Sequence, residues 1–132
     1  MSEENVEVVR RAYEAFALGD LETVLDQLDP AVVSYTASPL PDPGEHLGHD
    51  GFLQWVENWT GVFDEFALEV EEYVDSGDHV IVRALQRATG AASGAPVEQV
   101  FWFLHSFRER KILRIGIHAS HDQALEAAGL SD

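Results

Sequence analysis

The strongest patterning of polar and apolar positions lies between Val97 and Leu125. Val97 to Phe107 packs aromatic and branched residues into one run, a composition that favours a pleated strand. The run is long enough that the strand must bend. Arg108 to Lys111 is a charged turn, and Ile112 to Ala119 reads as a second strand. Gln123 to Ala128 is a helical segment stopped by Gly129. Two long neighbouring strands form a sheet with a broad face to bury, and the upstream segments read as its cover.

Taken in order, Ser2 can cap a helix from Glu3 to about Leu18, with Val6, Val9, Ala12 or Tyr13, Phe16 and Ala17 on one face. Gly19-Asp20 ends it and caps a short helix from Leu21 to Leu28, with Leu21, Val24, Leu25 and Leu28 inward. Asp29-Pro30 stops that helix. Ala31 to Thr36 is a strand. Ser38 to Gly48 holds Pro39, Pro41, Pro43 and Gly44 and reads as a long loop, of the kind that often serves as a lid. Gly48-His49-Asp50-Gly51 opens a third helix, Phe52 to about Val62, with Phe52, Trp55, Val56, Trp59 and Phe63 apolar-side. Phe66 to Val74 and His79 to Ala88 form a hairpin around Asp75-Ser76-Gly77-Asp78. A Gly/Ala/Ser connection, Thr89 to Pro96, leads into the closing strands. The order of elements is that of an α+β domain.

A chain of 132 residues makes one domain, large enough for a core without cross-links. It has no cysteine, which removes disulfides, thiolate metal sites and thiol nucleophiles. The acidic start, Met1-Ser2-Glu3-Glu4, is unlike a signal peptide, and no apolar run approaches the ~20 residues of a membrane span. A cytoplasmic location is the expectation. The formal charge is −16, and no Lys or Arg occurs between Arg11 and Arg83. Such a surface repels phosphate backbones and anionic bilayers, so neither nucleic acid nor membrane is an expected partner.

The order of elements, with Gly19-Asp20-Leu21, Leu28-Asp29-Pro30, Gly48-x-x-Gly51, Ser76-Gly77-Asp78 and Ala124-Leu125-Glu126-Ala127-Ala128-Gly129-Leu130, resembles the SnoaL-like branch of the nuclear-transport-factor-like superfamily. Ketosteroid isomerase, polyketide cyclases and limonene epoxide hydrolase belong to that superfamily. The resemblance covers nearly the whole chain. It implies a cystatin-like α+β roll: a curved mixed sheet wrapped around N-terminal helices, forming a cone with a pocket, and commonly a homodimer through the sheet. Fold alone does not assign function, since this scaffold hosts enzymes and non-enzymes.

Strand alternation groups Val80, Val82, Ala84, Gln86 and Ala88 on one face, with Arg83 and Arg87 opposite. It likewise groups Gln99, Phe101, Phe103, His105 and Phe107, and Ile115, Ile117 and Ala119. The resemblance turns these sets toward the pocket. The implied lining is Val82, Ala84, Gln86, Gln99, Phe101, Phe103, Ile115, Ile117 and Ala119, with Thr36, Tyr13, Trp55 and Trp59 from the cover. By position, the isomerase base falls at Thr36, its oxyanion-hole acid at Phe103, and its helix-1 tyrosine at Ala12, beside Tyr13. The epoxide hydrolase Asp-Arg-Asp set falls at Gln86, Ala84 and Ile117. None of these can carry charge at neutral pH, so neither known mechanism transfers.

His105, amid Phe101, Phe103 and Phe107, is the candidate general acid/base, with Tyr13 or Gln86 to polarise a carbonyl. The alternative is a packed histidine donating one hydrogen bond to backbone. His118 falls opposite the pocket face, which leaves a rim, dimer or catalytic role open to it, and His121-Asp122 follows as a rim, interface or surface group. His46, His49 and Asp50 could line the pocket mouth. Neither His46-x-x-His49 nor His118-x-x-His121 has the one-sided helical spacing of a metal site, so no metal is expected, nor any cofactor. Two functions follow: a binding protein for a small apolar molecule, or an isomerase, cyclase or lyase acting on an apolar carbonyl compound through His105. Ile81, Trp102 and Leu104, on the outer face, would suit a second copy of the chain.

Overall fold

The computed structural model describes residues 2–40 and 43–129, with Ser2 described by its backbone alone. The suggested cap by the Ser2 side chain, and Pro41 and Leu130 in the motifs above, lie outside that description. Helix α1 (Ser2–Ala17) buries Val8, Val9, Ala12 and Ala15. Tyr13 and Phe16 pack beside them, while Ala17, expected inward, is exposed. Gly19 takes a left-handed φ of 75°, reversing the chain. Asp20 then caps α2 (Leu21–Asp26) by accepting from the Thr23 backbone N–H at 3.2 Å. This helix is shorter than its sequence suggests. Leu28 already pairs with Ile112 in the sheet, and Leu21 points to solvent.

Among the described residues, six strands form one mixed sheet in the order β2-β1-β6-β5-β4-β3. They are β1 (Leu28–Thr36), β2 (Gly44–Leu47), β3 (Phe63–Asp75), β4 (His79–Gly90), β5 (Pro96–Arg108) and β6 (Lys111–His118). Only β1 and β6 run parallel among these neighbours; the other pairs are antiparallel. Part of the supposed loop is therefore an edge strand. β2 is short and mostly exposed, which removes the apolar alternation that normally reveals a strand. β3 begins at Phe63, expected on the helix before it. Glu65 adopts φ 49° where the β3–β4 register slips between Asp64 and Ala67, a bulge that bends the strand. The β5–β6 turn places Glu109 and Arg110 at φ 50° and 66°, the geometry whose twist suits a two-residue hairpin.

α1 and α3 (Gly48–Thr60) cover one face of the curved sheet, and the main core lies between. Val80, Val82, Ala84, Phe101, Phe103, Ile112, Ile115 and Ile117 supply its floor. α4 (His121–Ala127), capped by Ser120 accepting from the Gln123 backbone N–H at 3.1 Å, packs on the opposite face. There Ala124 closes over Ile81 and Leu104, with Trp102 at the margin. The outer face is thus not open at Ile81 and Leu104, because the closing helix buries them.

Elsewhere on that face the Tyr35 ring lies across Gly116, its cross-strand partner on β6. The Tyr35 hydroxyl is 2.7 Å from His118 Nε2, and the Arg114 guanidinium sits 4.5 Å above the ring. Arg114 also pairs with Glu45 on β2 at 3.1 Å, so these side chains tie three strands together. Below them, the buried Asp29 carboxylate accepts two hydrogen bonds from Arg108 at 2.9 and 3.1 Å and one from the Ala31 backbone N–H at 2.8 Å. Those bonds hold its carboxyl below the usual carboxylate range. Among the described residues, no helix is long and apolar enough to cross a membrane.

Candidate functional site

Between the two covering helices and the sheet lies an inner cavity of ≈ 80 Å³. α1 contributes Ala12, Tyr13 and Phe16; α3 contributes Phe52, Trp55, Val56 and Trp59; the sheet contributes Phe66, Leu68, Phe103, Ile112, Ile115 and Ile117. The helical residues recur at the three- and four-residue spacings that put them on one face. The strand residues alternate, so their neighbours Leu104 and Gly116 face the other side.

Among the described residues no charged side chain lines this cavity, and each polar group on its wall is already engaged. Trp55 Nε1 donates to Thr36 Oγ1 at 2.9 Å. Trp59 Nε1 donates to Gln86 Oε1 at 2.6 Å, and its ring meets Phe101 edge-on, 5.2 Å between centroids. Thr60 Oγ1 donates to the Val56 carbonyl at 2.9 Å. Tyr13 rests edge-on against Phe103, 6.0 Å between centroids, and its hydroxyl is 2.9 Å from His105 Nε2. The two indoles are therefore locked in place by sheet residues, and the cavity is bounded by rings with fixed orientations.

His105 is fully buried. Its Nδ1 is 3.0 Å from the Val80 carbonyl, which accepts only, so Nδ1 carries the proton and Nε2 accepts from Tyr13. Burial pushes the His105 pKa down to about 4 and raises that of Tyr13 well above its ordinary value. Both groups are neutral near pH 7. Neither ring nitrogen of His105 is left for a substrate, and the histidine does not line the cavity. The backbone hydrogen bond is the packed-histidine arrangement.

Other expected lining residues are displaced from the wall. Val82, Ala84 and Phe101 are core beneath it, and Gln86 is spent on Trp59. Ala119 packs against the core beyond the cavity edge. Gln99, opposite Gln86 on β5, is exposed: alternation gives its face correctly, but β5 has passed the reach of the covering helices. Leu28, Val24, Val56 and Leu68 line the cavity although the sequence marked them only as core or as strand positions.

A second, wider cleft of ≈ 290 Å³ lies outside the first. Thr36, His46, Asn58, Val62 and Phe63 line it together with Trp55 and Trp59, which border both spaces. The histidines near it diverge. His46 joins the cleft, His49 Nε2 is 3.0 Å from the Leu28 carbonyl, and Asp50 is exposed. His118 belongs to the Tyr35 cluster on the opposite face and His121 is exposed at the start of α4. Among the described residues, no three histidines or carboxylates gather as a metal-binding group.

No curated protein matches this sequence. Solved structures do. An NTF2-like protein of Burkholderia pseudomallei is 25% identical, with a TM-score of 0.78 over 93% of this chain and 95% of that one. TerC, co-crystallised with polyporic acid, is 22% identical, with a TM-score of 0.79 over 93% and 96%. IdmH of Streptomyces antibioticus, described as a candidate polyketide cyclase, is 22% identical, with a TM-score of 0.71 over 96% and 99%. The last two establish the shared fold. The SnoaL-like domain family matches residues 9–115, from the buried face of α1 to the inward residues of β6, and the chain belongs to that family.

Proposed function

We propose that this protein binds a small, largely hydrocarbon molecule in the inner cavity. The observation that carries the reading is a wall without charge, on which every polar group is already hydrogen-bonded to the protein. Such a surface offers water nothing, and apolar cavities of this kind stay dry and accept hydrocarbon. Binding would release no buried charge and break no existing hydrogen bond. Trp55 and Trp59 report occupancy directly. Titrating the protein with benzene is expected to change their fluorescence saturably. Ile117→Phe, which fills the cavity from the sheet side, should weaken binding at least tenfold with an unchanged circular dichroism spectrum. An unaltered affinity in Ile117→Phe, or no saturable response to benzene, overturns the reading.

A cyclase or isomerase acting on an apolar carbonyl compound is the second reading, favoured by the candidate polyketide cyclase among the structural neighbours. That reading requires Tyr13, whose ring borders the cavity, to turn its hydroxyl from His105 Nε2 toward a substrate carbonyl. Tyr13→Phe should then abolish turnover of a reactive carbonyl compound while leaving benzene binding intact. Equal rates in both proteins would exclude it. Homodimerisation through the part of the outer face that α4 leaves uncovered accompanies either reading, and sedimentation at micromolar concentration tests it.

A further inference from the structure

The inner cavity and the outer cleft share two wall residues, Trp55 and Trp59, so the indoles form the partition between them. The two are held unequally. Trp55 is buried, its ring leans on Phe52 at 6.0 Å between centroids, and Thr36 accepts from its N–H. Trp59 is only half-buried and is the last residue but one of α3, just before the exposed Val62. On its outer side lies a cleft of ≈ 290 Å³, against ≈ 80 Å³ within. Besides the edge-on contact with Phe101, its hold on the sheet is the hydrogen bond from Nε1, its single donor, to Gln86 Oε1. Gln86 lines neither space; it is 2% exposed and stands behind the wall. Its neighbours on the inner face of β4 are Val82, Ala84 and Ala88, all buried. A glutamine in such a row is costly unless it is bonded, and the bond it makes is the one that holds Trp59.

An inner space of ≈ 80 Å³ suits a single ring. A fused two-ring body overfills it, and forcing extra bulk against close-packed walls is costly. The floor, with Phe103, Ile112, Ile115 and Ile117, is buried core. Trp59 has open space behind it, so turning its indole toward the cleft joins the two spaces and gives up one hydrogen bond. We infer that Trp59 is the size filter of the ligand site and that Gln86 is the positioning residue that latches it shut. A single-ring hydrocarbon is accommodated with the latch closed. A two-ring molecule binds only the fraction of the protein in which Trp59 has swung out, and its apparent affinity is reduced by that fraction. This rests on the apolar-ligand reading above and adds what limits the size of the ligand.

The test is equilibrium dialysis of the wild-type protein and four variants against benzene and naphthalene, read as the ratio of the two affinities. Wild type is expected to favour benzene roughly tenfold. Gln86→Leu keeps the bulk on β4 and removes the acceptor, which leaves the indole N–H of the closed position unpaired. The ratio should then move about tenfold toward naphthalene. Trp59→Phe removes the donor, should move the ratio at least as far, and decides the matter alone if the core rejects Gln86→Leu. Adding Gln86→Leu to Trp59→Phe should move it no further, because Gln86 acts through Trp59. Thr36→Val frees the buried Trp55 in the same way and should leave the wild-type ratio in place. A wild-type preference for naphthalene, an unmoved ratio in either single variant of the latch, additive shifts in the double variant, or an equal shift in Thr36→Val overturns the filter, while saturable benzene binding upholds the apolar reading. Failure of benzene to bind overturns both.

Discussion

Acidification from pH 6.5 to pH 4 is expected to cost the folded protein about 3 kcal/mol through His105 alone. The ordinary histidine pKa is 6.5 and burial places this one at about 4. In that window the unfolded chain takes up a proton that the folded chain refuses. Stability therefore falls as pH falls, and the magnitude follows from 1.36 kcal/mol per pKa unit across the interval. Above pH 6.5 neither state is protonated and the contribution is flat. Below pH 4 both are, and no further loss accrues from this group. Protonation would also oblige Nε2 to donate toward the Tyr13 hydroxyl, which now donates to it. Urea unfolding of wild type and His105→Gln at pH 7, 6, 5 and 4 isolates the effect from the many carboxylates. His118 is shifted in the same direction by burial and by Arg114, but it is common to both proteins. The stability difference between the two proteins should shrink by about 3 kcal/mol across the series. Parallel curves would mean that His105 is not held neutral by its surroundings.

Replacing Gly116 by alanine should be the most disruptive single-methyl change in the sheet. An added Cβ would fall inside the Tyr35 ring, meeting three of its carbons at once. The ring cannot shift sideways without giving up His118 Nε2 and the Arg114 guanidinium above it. Overpacking of this sort costs roughly 3 kcal/mol at the upper end of its usual range, and here a hydrogen bond is lost as well. The cost should be largely relieved in a Tyr35→Ala background, because the clash has a single source. A double-mutant cycle by urea unfolding reads the coupling. Additive effects, or a Gly116→Ala variant within 0.5 kcal/mol of wild type, would show that the ring does not occupy that position.

The sequence disclosed those parts of the architecture that repeat at short range. Period-3.6 runs mark α1 and α3, alternation marks β4 to β6, and Gly77 and Gly129 mark a turn and a helix stop. β2 escaped because Gly44, Glu45, His46 and Leu47 bury almost nothing, so no pattern betrays them. Gln99 was placed on the correct face but outside the cover, since alternation gives a direction and not the length of the helices above. The Tyr13–His105 pair joins residues 92 positions apart, and the Trp59–Gln86 bond joins a helix end to a strand distant in the chain. Such pairings come from topology, which composition and spacing do not encode locally. The aromatic lining contributed by Phe103, Trp55 and Trp59 was legible. That their polar atoms would all be turned away and satisfied was not.

The parallel pairing of β1 with β6 also sets an order of events during synthesis. β3, β4, β5 and β6 succeed one another as hairpins and can pair as they emerge. β1, made early, finds its inner neighbour only after Lys111 to His118 has left the ribosome, roughly eighty residues later. Until then α1, α2 and the β1–β2 edge have no completed floor to close against. A nascent chain halted before Lys111 would carry an unpaired inner strand edge, exposing to chaperones the same apolar residues that later surround the cavity.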